Sequence, residues 1–330
     1  MIIGSGVVGQ ATGKALIKKG HKVLFVDTNI EVIRRMSQEG FEARLAHKLE
    51  DVTADFSMFC VSTNSRSDGS VDLNNIAIAA ANHGGWLRCK KDDVWHLVVI
   101  RSTVPPGTAR PILLQLLEKY SGLKAGKDFG LCVQPEFLRA KSSEADSLHP
   151  WAIVIGELDR RSGNMLANLY DDFDTEIFRM DLEEAEFLKY VHNCFNATKI
   201  SFANEMWLLG RHLGIDANSI MKIAAKTAEG FWNPDYGTVG GQPYGGDCLP
   251  KDCNGLLRFA QRVGISLPLL SAVVSVNTQM EDLARDGLIP PAAPISPMWQ
   301  PSPNLRKIVL KKVAEWEQAN SARISSYTSP

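Results

Sequence analysis

The chain has no apolar run long enough to span a bilayer, and its first residues do not read as a signal peptide. A cytoplasmic protein with no membrane partner is expected. It also lacks a charge bias: 36 Lys and Arg stand against 37 Asp and Glu, a formal net charge of -1. That balance offers no basic surface for nucleic acid and no acidic tail. The six cysteines (60, 89, 132, 194, 248 and 253) form no CxxC pair. Only Cys248 and Cys253 are close in sequence, and nothing near them supplies two further ligands. Neither a zinc site nor a disulfide framework is expected, and reduced thiols fit the cytoplasm. What remains is ordinary globular material. The 330 residues are 45% hydrophobic and 22% charged, enough for two domains and a sizeable core.

The N-terminal half reads as α/β. Met1-Ile2-Ile3 runs into Gly4-Ser5-Gly6-Val7-Val8-Gly9, and a helical segment follows with Ala11, Ala15, Leu16 and Ile17 as its apolar positions. His21 to Asp27 then reads as a strand ending in an acid. GxGxxG alone is a weak signal. Between an apolar strand stub and a helix, with Asp27 closing the next strand, it predicts a dinucleotide-binding βαβ unit. The glycines allow the tight turn and admit a pyrophosphate to the helix N-terminus. Asp27 would accept hydrogen bonds from the adenosine ribose. A carboxylate there repels a 2′-phosphate, which favours NAD over NADP. The first strand is short for this motif, as if its true start lay a few residues upstream.

Further apolar strands are expected near residues 57–61, 96–100, 130–133, 152–156 and 175–178, alternating with helices. This is the signature of a mostly parallel, Rossmann-type doubly wound sheet covered on both faces. Ligands of such sheets sit beyond the carboxyl ends of the strands. The segments at Ser62, Thr103 and Glu136 all follow strand ends, so they are expected to share one cleft with residues 4–9.

From Asp181 the strand signals vanish and an all-helical domain is predicted. Residues 181–213 read as one long helix with an acidic first turn that suits the dipole. On it, Lys189 and Asn193 are four apart on one face, and Leu188, Val191, Phe195 and Ile200 read mostly as core. Further helices are expected over about 217–228, 250–263 and 267–284. Between the first and second of these lies a glycine-rich loop, Gly240-Gly241-Gln242-Pro243-Tyr244-Gly245-Gly246-Asp247-Cys248-Leu249-Pro250-Lys251-Asp252. Pro250 suits a first helical turn, which sets Cys248 at a helix N-terminus. The helix dipole and Lys251 both favour negative charge on its sulfur, whereas Asp247 opposes it. Cys248 is therefore a candidate nucleophile; read alone, it equally fits an inert buried thiol. The domains expected are 1–180, 181–285 and a third segment, 286–330. In that segment a proline-rich connector leads to a helix with a Leu305, Ile308, Val309, Val313 and Trp316 stripe, and then a disordered end.

Five stretches in order resemble the UDP-glucose/GDP-mannose dehydrogenase family: residues 4–9; Arg101-Ser102-Thr103-Val104-Pro105-Pro106-Gly107-Thr108; Gln134-Pro135-Glu136-Phe137-Leu138-Arg139; residues 186–201; and Tyr244 to Asp252. The resemblance implies oxidation of a sugar C6 alcohol to a carboxylate with NAD used twice. Cys248 would be the nucleophile, carrying a thiohemiacetal and then a thioester. Lys189 and Asn193 would stabilise the oxyanion, and Asp252 would orient a water or assist proton transfer. Glu136 would be the general base for hydrolysis, with Thr103 positioning water and cofactor. The cofactor site implied is Gly4, Gly6, Val7, Val8, Gly9, Asp27, Ser62, Thr103 and Lys251. The substrate site implied is Phe137, Leu138, Lys189, Asn193, Tyr244 and Gly245. A homodimer through the 181–213 helix is implied as well.

The chain departs from the family pattern where substrate is recognised. Gln134 stands for the usual Asn, and Arg139-Ala140-Lys141 omits a second acid. Pro150-Trp151-Ala152 replaces Pro-Asp-Arg. Tyr244 and Asp247 stand for Phe and Ser, and the arginine upstream of the glycine loop is absent, the region reading Phe231-Trp232-Asn233-Pro234. The family's third, nucleotide-holding domain has no counterpart in these residues. Retained oxidation chemistry on a sugar nucleotide, or on a related nucleotide or sugar, is the expectation. Two alternatives stand beside it: a two-electron β-hydroxyacid-type dehydrogenase using Lys189 and Asn193, and a catalytically inactive NAD-binding partner subunit.

Overall fold

The computed structural model describes residues 1–90, 94–139 and 141–288, together with 314, 315 and 318. The chain forms two compact units that divide between Val191 and His192.

The first unit alternates strand and helix: β1 (Ile2–Ile3), α1 (Val7–Lys18), β2 (Phe25–Asp27), α2 (Ile30–Gln38), β3 (Ala43–Leu45), β4 (Phe56–Phe59), α3 (Asn74–Cys89) and β5 (His96–Ile100). A π-helical stretch, Ala109–Leu113, runs into α4 (Leu114–Ser121). Then come β6 (Phe129–Val133), α5 (Ser143–Leu148), β7 (Ile153–Glu157), α6 (Arg160–Asn168) and β8 (Ile177–Asp181). The sheet order is β3-β2-β1-β4-β5-β6-β7-β8. Every pairing is parallel except β6 with β7. The first six strands thus have the doubly wound dinucleotide-binding order, with the switch point between β1 and β4.

Both faces of the sheet are covered, and the strands sort their side chains accordingly. Ile3, Val26, Phe59, Val98, Ile100, Leu131 and Val133 join Ile76, Leu113, Leu116 and Leu117 in one core. Their neighbours Ile2, Phe25, Met58, Leu97, Val99 and Cys132 join Leu16, Met36, Leu166 and Tyr170 in the other. Successive strand residues point to opposite faces, so continuous apolar runs are what a sheet buried on both sides requires. Helices begin where polar side chains cap them: Asn29 accepts from Glu31 N–H ahead of α2, and Asp159 from Ser162 N–H ahead of α6. The short edge strand β3 escapes a reading from sequence because three half-buried residues hold too little pattern to show a period.

Strand β8 runs directly into α7 (Leu182–Leu213), whose first turns belong to the first unit. The second unit holds the rest of α7 with α8 (Ala217–Thr227), α9 (Glu229–Trp232), α10 (Leu249–Arg262) and α11 (Pro268–Arg285). Its small core gathers Leu209, Ala260, Leu267 and Leu270. Buried Glu205 accepts from the N–H groups of Leu269 and Leu270 at 2.7 and 3.0 Å, satisfying donors that the first turn of α11 leaves free.

One expectation fails on α7. Leu188 packs against the first unit's core, but Val191, Phe195 and Ile200 are 45%, 63% and 63% exposed rather than buried. Helical spacing defines an apolar stripe, and only a facing surface can bury it. The connector and terminal helix expected over 286–330 lie outside the described residues, apart from 286–288, 314, 315 and 318. Among the described residues no helix is long and apolar enough to cross a membrane.

Candidate active site

The glycine turn after β1 is built by close approach. Gly4 has φ +93°, and a Cβ there would lie 2.8 Å from the backbone of Cys60 and Val61. A Cβ on Gly9 would lie 2.0 Å from the Gly4 carbonyl oxygen. Both positions therefore exclude any side chain, and the turn brings α1 hard against β1 and β4. Gly6 differs: no described residue lies within 4 Å of its would-be Cβ. It also sits at the start of α1 with no side-chain cap, and Val7 beside it is exposed. An uncapped helix N-terminus with open space at its glycine fits a dinucleotide pyrophosphate. Asp27, closing β2, accepts from Ser5 N–H at 2.8 Å and Asn29 N–H at 2.9 Å. It thereby joins the first glycine turn to the next strand end, where a ribose would be read. Thr63 Oγ donates to the Thr103 carbonyl at 2.7 Å, so the loops after β4 and β5 are tied side by side, with Ser62 on the first of them.

The loop after β5 is held by a residue that sequence spacing did not single out. Glu186, 2% exposed on α7, accepts from the N–H groups of Gly107 at 2.5 Å, Thr108 at 3.3 Å and Ala109 at 2.7 Å. One turn earlier, Glu183 accepts from Arg110 Nε at 2.7 Å. One turn later, the Lys189 ammonium donates to the Glu136 carbonyl oxygen and to its carboxylate Oε1 at 3.1 Å. Glu183, Glu186 and Lys189 recur every three residues, so one face of α7 grips the loops after β5 and β6 together. Burial pushes the Glu186 carboxyl up to about 7, against the pull of its three backbone donors. The signal that could have found Glu186 is an acid at a core position of an amphipathic helix.

Lys189 and Glu136 are thus brought into one buried ion pair, their side chains 8% and 14% exposed. The other Glu136 oxygen accepts from Leu138 N–H at 2.6 Å, which turns the chain at Phe137 and Leu138. The Lys189 ammonium also lies 5.6 Å from the centre of the Phe137 ring. Gln134, where the family pattern has Asn, is buried; its Oε1 accepts from Arg101 at 2.6 Å and from the Tyr170 hydroxyl at 2.9 Å. These residues line a cavity together with Glu136, Phe137, Leu138 and Trp151.

In the second unit Cys248 stands immediately before Leu249, the first residue of α10, and is exposed, so the buried-thiol reading fails. Its carbonyl oxygen accepts from Asp252 N–H at 2.8 Å. Asp252 pairs with Lys251 at 2.9 Å on an exposed face. Gly246, two residues ahead of the sulfur, has φ +76°, which turns the loop into the helix. Gly245 and Asn193 are exposed in the same unit, and Tyr244 is half-buried. Burial pushes the Cys60 thiol up to about 11 and raises that of Cys132 as well. Cys248, by contrast, is exposed at the N-terminus of a helix.

A doubly wound sheet with this glycine turn and an acid closing β2, followed by a helical unit, defines an NAD-dependent dehydrogenase acting on a CH–OH group. The chain belongs to the UDP-glucose/GDP-mannose dehydrogenase family: residues 1–174 match its NAD-binding domain and residues 183–279 its central domain. It is 35% identical to a GDP-mannose 6-dehydrogenase of Pseudomonas savastanoi pv. phaseolicola over 86% of this chain and 69% of the relative. It is 32% identical to a UDP-glucose 6-dehydrogenase of Bacillus subtilis over 86% and 67%. Its structure resembles that of a GDP-mannose dehydrogenase from Pseudomonas aeruginosa solved as a ternary complex, with TM-score 0.80 and 30% identity over 95% of this chain and 77% of the other.

Two predictions follow from the turn and the clamp. Gly6→Ala should fold like the parent and bind NAD about tenfold or more weakly, ~1.4 kcal/mol in a fluorescence titration. Gly4→Ala should lose about 1–2 kcal/mol or more in denaturant melts from the left-handed backbone alone. The second concerns pH. The folded protein holds the Glu186 proton more tightly than the unfolded chain, so charging this group costs stability as pH rises from about 4.5 to about 7. Glu186→Gln replaces one acceptor with a donor facing backbone N–H groups and should destabilise. The stability gap between parent and variant should be widest below about pH 4.5 and narrow as pH rises through about 7; a gap that widens with pH would contradict this.

Proposed function

We propose that this chain oxidises the C6 primary alcohol of a sugar nucleotide to the carboxylate, with a GDP-linked hexose as the first substrate to test. The observation that carries the reading is the exposed Cys248 at the N-terminus of α10, in a chain whose relatives bear 6-dehydrogenase names. Alcohol to acid is a four-electron oxidation. Gly4, Gly6, Val7, Val8, Gly9 and Asp27, aided by Ser62, Thr103 and Lys251, would hold NAD, which would supply the hydride acceptor for each of two rounds. An aldehyde has no good hydride to give until a nucleophile adds to it. The Cys248 thiolate forms the C–S bond, and the carbonyl oxygen takes up the displaced electron pair and a proton. Loss of hydride from that carbon, with release of the hydroxyl proton to solvent, leaves a thioester on the sulfur. Water then adds, the C–S bond breaks, and the thiolate and carboxylate separate.

The other groups have matching roles. Lys189 and Asn193 stabilise the negative oxygen; preorganised donors of this type are worth a few kcal/mol each. Glu136 takes the proton of the attacking water. It sits in an ion pair with Lys189 at 3.1 Å, and Thr103 positions water and cofactor. Asp252 orients a water near the sulfur. Phe137, Leu138, Tyr244 and Gly245 shape the substrate site. A two-fold homodimer through α7 accords with this reading: Phe187, Val191 and Phe195 leave one apolar face exposed on the single chain, and Ile200 and Leu208 are exposed further along the helix.

With GDP-mannose and NAD the parent should yield two NADH and one carboxylate per sugar, counted by absorbance and product mass. Cys248→Ala should yield no carboxylate, and Asn193→Ala should lose roughly a hundredfold in kcat. One NADH per substrate, unchanged by Cys248→Ala, would instead indicate a β-hydroxyacid-type reaction. Light scattering should give a dimer mass for the parent and a monomer mass for Phe195→Asp; a monomeric parent would exclude the helix interface.

A further inference from the structure

The glycine loop that carries Cys248 is fastened at one point to α11. Asn277, 7% exposed on that helix, takes hold of both backbone groups of Tyr244. Its Oδ1 accepts from Tyr244 N–H at 2.7 Å, and its Nδ2 donates to the Tyr244 carbonyl oxygen at 3.1 Å. This is the pairing one strand offers another, supplied by a single side chain. The second hydrogen of Nδ2 goes to Glu281 Oε1 at 2.9 Å, one helical turn further on. A carboxylate can only accept, so Glu281 dictates which end of the amide is nitrogen and hence that it matches Tyr244 in the correct sense. The Tyr244 hydroxyl is partnered separately by Cys253 on α10.

The spacing gives this clamp its consequence. Between Tyr244 and Cys248 stand only Gly245, Gly246 and Asp247, and Leu249 already belongs to α10. Glycines with no side chain to pack cannot hold a loop in place by themselves: no described residue lies within 4 Å of a Cβ at either. The turn is therefore bracketed, by α10 on one side and by the Asn277 amide on the other. α11 is anchored in turn, because buried Glu205 of α7 binds the N–H groups of Leu269 and Leu270.

We infer that Asn277 is a positioning residue for the nucleophile, acting through the backbone of Tyr244 to hold Cys248 at the N-terminus of α10. The inference rests on the thioester reading above for its catalytic meaning, but the clamp has a readout of its own. In Asn277→Ala, hydrogen exchange at the Tyr244 amide should accelerate tenfold or more. Alkylation of Cys248 by iodoacetamide, followed by peptide mass mapping, should change at least threefold, while the exposed Cys89 and Cys194 react as before. With GDP-mannose, kcat should fall at least tenfold with KM for NAD unchanged. Asn277→Asp keeps the volume and one acceptor but loses both donors; it should show the same pattern and serves if the alanine variant does not fold. Unchanged Tyr244 exchange overturns the clamp. Faster exchange with unaltered Cys248 alkylation and kcat overturns the positioning role. Parallel assay of Cys248→Ala separates the two claims: two NADH per sugar from that variant sinks the thioester route, while exchange and alkylation still decide Asn277.

Discussion

The first unit depends on one buried carboxylate. Three consecutive backbone N–H groups, at residues 107–109, have no helical or sheet partner of their own, and Glu186 binds all three. Leaving such donors unmet in the interior would cost about 1–3 kcal/mol each. Meeting them from α7 costs the burial of a carboxylate, seen in the upward push on its proton affinity. The return is geometric. The loop after β5, with Thr103 on it, is registered to the same helix that supplies Lys189, and Lys189 grips Glu136 at the end of β6. A single rigid element thereby sets two loops that no sheet hydrogen bond constrains.

The second unit repeats the device with different residues. Glu205, on the same helix, caps the start of α11, and α11 presents Asn277 to the glycine loop. Acids on α7 and an amide on α11 stand in for backbone partners that loops lack. Loops carry the reacting groups because they can shape themselves around a ligand, and they keep that shape only if something stiffer holds their backbone.

Much of this was legible in the residue order where the cause is local. The Rossmann turn follows from Gly4 and Gly9, whose neighbours leave no room for a Cβ. The start of α10 follows from Pro250, and α7 was expected over 181–213 against Leu182–Leu213 observed. Local causes misled at Val191, Phe195 and Ile200, where a correct apolar spacing was taken to mean burial. Glu186, Glu205 and Asn277 passed unremarked, although two of them lay in or beside quoted motifs. Their partners stand 77–79, 64–65 and 33 residues away in the chain, and no period connects such positions.

The sequence by itself determined the cofactor, the alternation of most strands with helices, and the candidate side chains for the chemistry. Those depend on short-range sterics, on hydrophobic period and on the identity of the reactive atoms. Tertiary structure alone decided which groups are buried, which acid meets which backbone donors, and that Lys189 is partnered by Glu136. Those are contacts across long loops of chain, and their energies exist only once the sheet and helices have closed around them.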